Sequence, residues 1–268
     1  MDVSNISWND KQHTRKHNDL LPRSIRGLII GKSGCGKTTL LMNLLLKDWL
    51  DYDHLYVYAK TLHQREYQIL RLGFEKGLSK DEVRNVFTLQ SMFEEKRVDP
   101  IDFLTSLAVS SKNVIESEFF DAPEDVPSPS DLDPKHKNLM IFDDLMLEKQ
   151  NHCEMFYTRG RHNNVDCFYI SQNYFKLPRQ TIRENTNFII LFPQDGQNLN
   201  HIYIDHGNDM ESIEEFKKFC TFGWSKEYGF VVIDLTSKVS EGKYRHGFDT
   251  FYIPRDNSLD VKRKTEQR

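Results

Sequence analysis

The chain has 268 residues and a formal net charge of −4, and 28 % of its residues are charged. It is long enough to bury the core of one large α/β domain. The slightly negative charge excludes a protein that holds nucleic acid through a basic field over its whole surface, so any DNA contact must be local.

The N-terminal residues lack the basic start and apolar core of a secretory signal, and no apolar run approaches the ~20 residues that a membrane helix needs. The four cysteines show no C-x-x-C spacing, and Cys35 lies in a glycine-rich loop that a disulfide would obstruct. We therefore expect an intracellular protein in a reducing compartment, without membrane contact. Residues 1–24, which are polar and irregular, predict an N-terminal arm.

A glycine-rich segment of the form G-x-x-x-x-G-K-T follows the first core strand, which is predicted over 26–30. Its glycines allow backbone conformations in which successive N–H groups converge on phosphate oxygens. Lys37 adds a positive charge for the β- and γ-phosphates, and Thr38 offers a hydroxyl to a bound Mg²⁺ at the start of a helix. The segment predicts a nucleoside-triphosphate site formed by Gly31, Lys32, Ser33, Gly34, Cys35, Gly36, Lys37, Thr38 and Thr39.

The chain after this loop alternates between helical and strand patterns. Strands are predicted over 54–60, 139–142, 165–170, 188–192 and 228–235, and a hairpin follows the last one. Helices are predicted from the loop to about residue 50 and over 62–76, 100–110, 149–162, 177–185 and 210–220. Residues 117–137, rich in Pro, Ser, Asp and Glu, predict an exposed insertion. This alternation predicts a wound, mostly parallel α/β sheet flanked by helices, with ligands at the carboxyl ends of the strands.

Two carboxylates, Asp143 and Asp144, directly follow the apolar run Leu-Met-Ile-Phe. Downstream of a phosphate loop, this pattern is typical of a metal-binding strand. We expect Asp143 to hold Mg²⁺ through water, beside Thr38. Asp144 is the candidate base that orients or deprotonates the attacking water, a role that usually falls to the longer Glu. The alternative is a polar turn after a core strand.

The next predicted strand ends in Ser-Gln-Asn, which brings Gln172 to the same sheet edge as Asp143. There its amide could hydrogen-bond the γ-phosphate or the attacking water. A polar residue after a strand is ordinary in itself. The position one strand after the acidic pair favours a γ-phosphate sensor, because helicase-like and translocase-like ATPases have a sensor there and nucleotide kinases usually lack it.

Arg159 and Arg161 flank a glycine between these two strands. In ring ATPases an arginine of one subunit reaches the γ-phosphate held by its neighbour, and its planar cation contributes ~10³–10⁵ in rate. Both arginines are candidates for this role. A solvated basic turn or a contact with the DNA backbone fits the same residue types equally well.

The motifs together resemble a known family. They are the phosphate loop, Leu-Met-Ile-Phe-Asp-Asp, Tyr-Thr-Arg-Gly-Arg-His-Asn-Asn and Tyr-Ile-Ser-Gln-Asn-Tyr-Phe-Lys-Leu-Pro. Over roughly residues 25–195 the chain resembles the genome-packaging ATPases of the FtsK–HerA superfamily, found in poxvirus-like large DNA viruses, virophages and Polinton or adintovirus-like elements. The segment Gly-Lys-Tyr-Arg-His-Gly-Phe-Asp-Thr-Phe is similar to the tails of the Polinton-type members.

The resemblance implies an ASCE-type P-loop NTPase domain over 25–253, followed by a C-terminal tail over 254–268. It implies a homo-oligomeric ring, a hexamer, that hydrolyses ATP with Mg²⁺ to drive double-stranded DNA into a preformed capsid, inside the host cell or with the virion. By position it implies these roles: phosphate and Mg²⁺ binding by Lys37 and Thr38, metal binding by Asp143, the catalytic acid position at Asp144, the sensor at Gln172 and the arginine finger at Arg159 or Arg161.

Two other functions stay open. A P-loop small-molecule or nucleoside kinase would bind its phosphate donor in the loop, and a non-catalytic assembly factor would use ATP only to hold subunits together. A DNA motor would also need basic residues that contact phosphates without reading bases. The candidates for those contacts lie at 176–179, Arg183, 238–245 and 262–264.

Overall fold

The computed structural model describes residues 17–110 and 115–254, which form a nine-stranded sheet with helices on both faces. The strands are β1 Arg26–Ile30, β2 His54–Ala59, β3 Glu116–Phe120, β4 Asn138–Asp143, β5 Val165–Ser171, β6 Phe188–Leu191, β7 Val231–Asp234, β8 Tyr244–His246 and β9 Thr250–Tyr252. The helices are α1 Lys37–Leu46, α2 Arg65–Glu75, α3 Lys80–Thr88, α4 Gln90–Lys96, α5 Pro100–Ser106, α6 Asn151–Arg159, α7 Gly196–His206 and α8 Ile213–Gly223.

The order of strands across the sheet is β3-β2-β4-β5-β1-β6-β7-β8-β9. The pairs among β1 to β6 are parallel, and β7, β8 and β9 continue the sheet in antiparallel pairs. β5 therefore lies between the phosphate-loop strand β1 and the acidic strand β4, which is the ASCE arrangement. The prediction of a wound, mostly parallel α/β sheet is confirmed.

The interior strands are buried on both faces, which explains their unbroken apolar sequences. Every residue of β4 and of β5 is buried. Along β1 the side chains alternate: Leu28 and Ile30 pack with α6, α7 and α8, whereas Ile29 packs with α1, α2, α3 and α5. The two layers of helices hold the carboxyl ends of β1, β4 and β5 at one edge, in a register that pairs Ile30 with Ser171 and Asp143 with Ile170.

The opposite end of the sheet is held by a buried network around Asp166 at the start of β5. Its carboxylate accepts the Ile25 N–H at 2.7 Å and lies 2.7 Å from His17 Nε2 and 2.6 Å from Lys137 Nζ. Burial alone would raise the pKa of Asp166, but the contacts with His17 and Lys137 hold it below its usual value. His17 and Leu21 are buried, so the described end of the expected arm packs on the core. Residues 1–16 of that arm lie outside the described residues.

Several boundaries differ from the sequence-based expectation. The helix expected to reach residue 50 ends at Leu46, because Lys47 adopts an extended backbone. The helix expected over 177–185 is a π-helical turn, Arg179–Arg183. Helices α3, α4 and α7 are not predicted from the sequence pattern. α3 begins at a capping box in which Ser79 and Glu82 satisfy each other's backbone N–H groups, a local start signal in the sequence.

The expectation of an exposed insertion over 117–137 is corrected. Its first residues lie in β3, which pairs with β2 and forms an edge of the sheet. Val126 and Leu132 are buried in the core. The polar composition describes the solvent side of this segment, but it does not reveal the few apolar residues that anchor it. Of the C-terminal tail predicted over 254–268, the residues from 255 onward lie outside the described part of the chain.

Candidate nucleotide-binding site

The loop between β1 and α1 has the backbone that a phosphate cradle requires. Gly34 and Gly36 have φ values of 75° and 97°, in the left-handed region that favours glycine. Gly31 is restricted for another reason: a Cβ there would lie 2.5 Å from Cys35 Sγ and 2.7 Å from Phe192 Cβ. The glycines thus fit the predicted role, because the cradle allows close approach of an anion and has no room for a side chain at Gly31.

Lys37 is fixed by the loop that it follows. Its ammonium donates to the carbonyls of Gly31 at 2.7 Å and Lys32 at 2.8 Å. An ammonium has three N–H donors, so one remains for a phosphate oxygen. α1 begins at Lys37, and the cap residue Gly36 has no side chain to accept its first N–H groups. These groups and the partial positive charge of the helix N-terminus favour an anion at this point.

A cavity of about 770 Å³ opens beside this helix, at the carboxyl ends of the strands. It brings the principal predicted residues together, because its wall includes Lys37, Thr38, Asp143, Asp144 and Gln172. A neighbouring cavity of about 350 Å³ also contains Asp144 and Gln172 in its wall, together with residues such as Lys32 and Lys176. The further predicted residues that line the larger cavity are Ser33, Gly34, Gly36 and Thr39.

Asp143 is the buried acid of the site. The hydroxyl of Tyr67, on α2, donates to Asp143 Oδ2 at 2.5 Å. Burial raises the pKa of Asp143 to about 6, against the lowering effect of this hydrogen bond. Burial also raises the pKa of Tyr67 well above its usual value, so its hydroxyl remains a donor. The donor set fits Mg²⁺, which prefers hard oxygen ligands: the Thr38 hydroxyl and the Asp143 carboxylate line the same cavity.

Asp144 and Gln172 differ from Asp143 in that both are exposed. Asp144 has a φ of 55°, a left-handed conformation that Asp tolerates better than most residues. Gln172 directly follows β5, which pairs with β4 through Ile170 and Asp143. The acid and the amide therefore reach the cavity from adjacent strands, and their side chains are free to contact a ligand.

Other residues of the cavity wall are absent from the sequence analysis. Asn43 lies on α1, Thr61 and Gln64 precede α2, and Tyr228 and Phe230 precede β7. Asn43 lies four positions after Thr39 on the predicted helix, a spacing that puts both residues on one helix face and could have suggested it. Nothing local marks the others, because only the sheet topology brings them to the loop.

The arginine pair lies at the far end of the sheet from this cavity. Arg159 ends α6, and Arg161 lies in the turn that leads into β5 at Val165. Val165 pairs with Asn138 at the start of β4, so the carboxyl end of that strand at Asp143 is roughly 16 Å away along the sheet. Both arginines are exposed, and neither forms an ion pair with a described residue. The chain does not bring them to its own phosphate loop.

Two of the basic residues considered for DNA contact are buried, which corrects that expectation. Arg183 lies 3.1 Å from the Asp205 carboxylate, and Arg245 donates to Asp234 at 2.6 Å. A guanidinium that is paired in the interior cannot reach DNA. Lys176, by contrast, is exposed. The group at 262–264 lies outside the described residues.

No protein-family model and no curated protein matches the sequence. Among solved structures, the chain is similar to the genome-packaging NTPase B204 of Sulfolobus turreted icosahedral virus 2. For its complex with sulfate the TM-score is 0.47 at 12 % identity, over 87 % of this chain and 99 % of that one. For its complex with AMP it is 0.45 at 11 % identity, over 81 % and 95 %.

The chain is also similar to VirB4 of Thermoanaerobacter pseudethanolicus, with a TM-score of 0.37 at 12 % identity over 71 % of this chain and 84 % of that one. A similarity this low describes only the general arrangement of helices and strands. Among the described residues, no helix has both the length and the apolar character to span a bilayer. The strand order, the glycine loop and the acid at the end of β4 together make this an α/β P-loop NTPase fold.

Proposed function

We propose that this protein is an ATPase that moves double-stranded DNA, and that it packages a viral or virus-like genome into a capsid as a homo-oligomeric ring, a hexamer, inside the host cell. The observation that carries the proposal is the shared cavity of Lys37, Asp143 and Gln172. A phosphate loop, a buried acid and an exposed amide on adjacent strands are the parts that hydrolysis of a γ-phosphate requires.

Each side chain has a role that follows from its position. The loop N–H groups and Lys37 hold the β- and γ-phosphates, and the Thr38 hydroxyl and Asp143 would hold Mg²⁺. That ion neutralises charge on the phosphate oxygens when it is bound. Asp144, which is exposed and lines the cavity, accepts the proton of the attacking water or orients that water. Gln172 hydrogen-bonds the γ-phosphate or that water.

The position of the arginine pair supports a ring. Arg159 and Arg161 are exposed and lie at the opposite end of the sheet from the cavity, so in one copy they cannot act on the bound phosphate. An adjacent copy placed head-to-tail could present one of them to the cavity. An arginine supplied in this way neutralises transition-state charge and couples hydrolysis to assembly.

The DNA part of the proposal is supported by the motif strings that resemble packaging ATPases, above all Tyr-Thr-Arg-Gly-Arg-His and Tyr-Ile-Ser-Gln-Asn. Lys32 and Lys176, which line the smaller cavity, are exposed basic residues at the carboxyl edge of the sheet and are candidates for phosphate contacts. Contacts of this kind bind any sequence, as a motor requires.

The test is ATP hydrolysis by the full chain with and without double-stranded DNA, with Lys37→Ala as the matched inactive variant. Strong stimulation by DNA in the wild type and none in the variant supports the motor. Turnover that ignores DNA, with phosphate transferred to a small molecule, supports a kinase instead. Assembly that needs ATP but no turnover supports a non-catalytic assembly factor, whereas a Lys37→Ala chain that assembles normally without turnover argues against it.

A further inference from the structure

The residue Tyr228 has an unusual backbone for a bulky aromatic. Its φ is 56°, in the left-handed region that such side chains rarely adopt. The turn that imposes this conformation is fixed by the Gly229 N–H, which donates to the Lys226 carbonyl at 2.9 Å. A Cβ on Gly229 would lie 2.5 Å from the Gly223 carbonyl oxygen, so the turn has no room for a side chain at this position.

Neither ring stacking nor a side-chain hydrogen bond with a described residue compensates for the strained conformation. The side chain of Tyr228 is 63 % exposed, and within the described residues no other ring lies against it and its hydroxyl has no hydrogen-bond partner. A non-glycine residue held in a sparsely populated conformation without a stacking or hydrogen-bonding partner suggests a functional constraint.

The ring of Tyr228 lies over the phosphate loop. A Cβ on Gly36 would come within 3.2 Å of Tyr228 Cδ1. Phe230, two residues on, lines the same cavity and is itself supported by rings: its centroid lies 5.5 Å from that of Phe192 and 5.1 Å from that of Phe248. The cavity therefore has an aromatic wall in which Phe230 is held by neighbouring rings and Tyr228 is exposed.

This wall lies on the side of the loop away from the acids. β4 and β5, which carry Asp143 and Gln172, lie on one side of β1, and β6 and β7 lie on the other. Since the γ-phosphate end of a triphosphate must face the acids, its nucleoside end extends toward β6 and β7. Tyr228 precedes β7 and is the exposed ring at that end.

We propose that Tyr228 stacks on the nucleobase of the bound triphosphate and closes the nucleoside end of the cavity. This inference rests on the proposed nucleotide binding and adds how the base is recognised: by its face, and not by hydrogen bonds to its edge. Stacking on an aromatic side chain tolerates any purine, because every base has a π-face. ATP and GTP are then bound with similar affinity.

The experiment is calorimetric titration of the full chain with ATP, GTP and inorganic tripolyphosphate, each with Mg²⁺. Tyr228→Ala is expected to weaken ATP binding roughly tenfold and to leave tripolyphosphate binding unchanged, since loss of base stacking affects only ligands with a base. Tyr228→Phe retains the ring and the affinity. Phe222→Ala, which removes a similarly exposed ring on α8 outside the cavity, serves as the control.

A second variant, Tyr228→Gly, separates binding from folding. Glycine adopts a φ of 56° without strain and alanine does not, so this chain is expected to unfold at a higher temperature than Tyr228→Ala while binding ATP as weakly. If the Tyr228 variants lost equal affinity for ATP and for tripolyphosphate, the stacking role would be overturned. The assignment of the phosphate site would be unaffected. Failure of the wild type to bind either ligand would instead overturn the proposed function.

Discussion

The Tyr67 hydroxyl donates to the Asp143 carboxylate at 2.5 Å, and both side chains are buried. This contact joins α2 to the end of β4 and fixes one oxygen of a carboxylate that lines the cavity. An acid that is held in one rotamer by a buried donor is already oriented for a cation. The relationship between these two residues gives the first two predictions.

Tyr67→Phe removes the donor and little else. We expect a loss of about 2 kcal/mol in the free energy of unfolding at neutral pH, because the hydrogen bond is to an ionised group. The Mg²⁺ concentration for half-maximal ATP turnover is expected to rise, since Asp143 is no longer fixed. Denaturant titrations and a Mg²⁺ series measure both. The matched control is Tyr58→Phe, which removes a buried hydroxyl that has no hydrogen-bond partner among the described residues. Equal losses in the two variants would contradict the prediction.

Asp143 gives a pH dependence whose sign is set by its raised pKa. Without metal, the folded chain holds this proton up to about pH 6, whereas the unfolded chain releases it near its usual value of 3.8. Stability therefore falls as pH rises from about 4 to 6, by about 3 kcal/mol in total. Asp143→Asn is expected to lack this fall and to be the more stable chain at pH 8 without Mg²⁺, while losing turnover. Parallel stability curves for the two chains would count against the buried ionisation.

Asp166→Asn tests the buried network at the opposite sheet end. The change leaves the Lys137 ammonium without its carboxylate, and breaking a buried pair costs about 3–5 kcal/mol. The lowered pKa of Asp166 has the opposite pH sign to that of Asp143: its stabilisation is present above about pH 4 and is lost as pH falls. Glu75→Gln, in an exposed pair with Arg71, is the control and is expected to cost under about 1 kcal/mol. Denaturant titrations of the wild type and the two variants measure the free energy of unfolding. Similar losses in the two variants would show that Asp166 does not form a stabilising buried ion pair.

The arginine pair is tested by mixing subunits. Arg159→Ala or Arg161→Ala chains, mixed into wild-type rings, are expected to depress ATP turnover more than simple dilution, since each would leave a neighbour's site incomplete. Arg71→Ala chains, altered at an exposed arginine on α2, provide the dilution line. A linear loss with dilution for both arginine variants would exclude a role in trans.

The phosphate loop and the acid strand were predictable because each is a local string with a defined backbone consequence. The order of strands in the sheet creates contacts between distant residues that no local sequence motif predicts. Tyr67 reaches Asp143 across 76 positions of sequence, and Tyr228 reaches Gly36 from beyond β6. The same limit explains the basic residues. The sequence does not distinguish a buried arginine from an exposed one, and only the fold shows that Asp205 lies beside Arg183.

The length of β5 separates Gln172 from Arg161 within each copy. Two copies related by a two-fold axis complete both sites only if each presents its arginine end to the cavity of the other. In the proposed head-to-tail ring each copy presents its arginine end to the cavity of the next, and such a series of unlike contacts completes every site only when it closes on itself. An isolated copy would then hydrolyse ATP slowly, so the specific ATPase activity is expected to rise with protein concentration. ATP would not be hydrolysed at full rate until the ring has assembled.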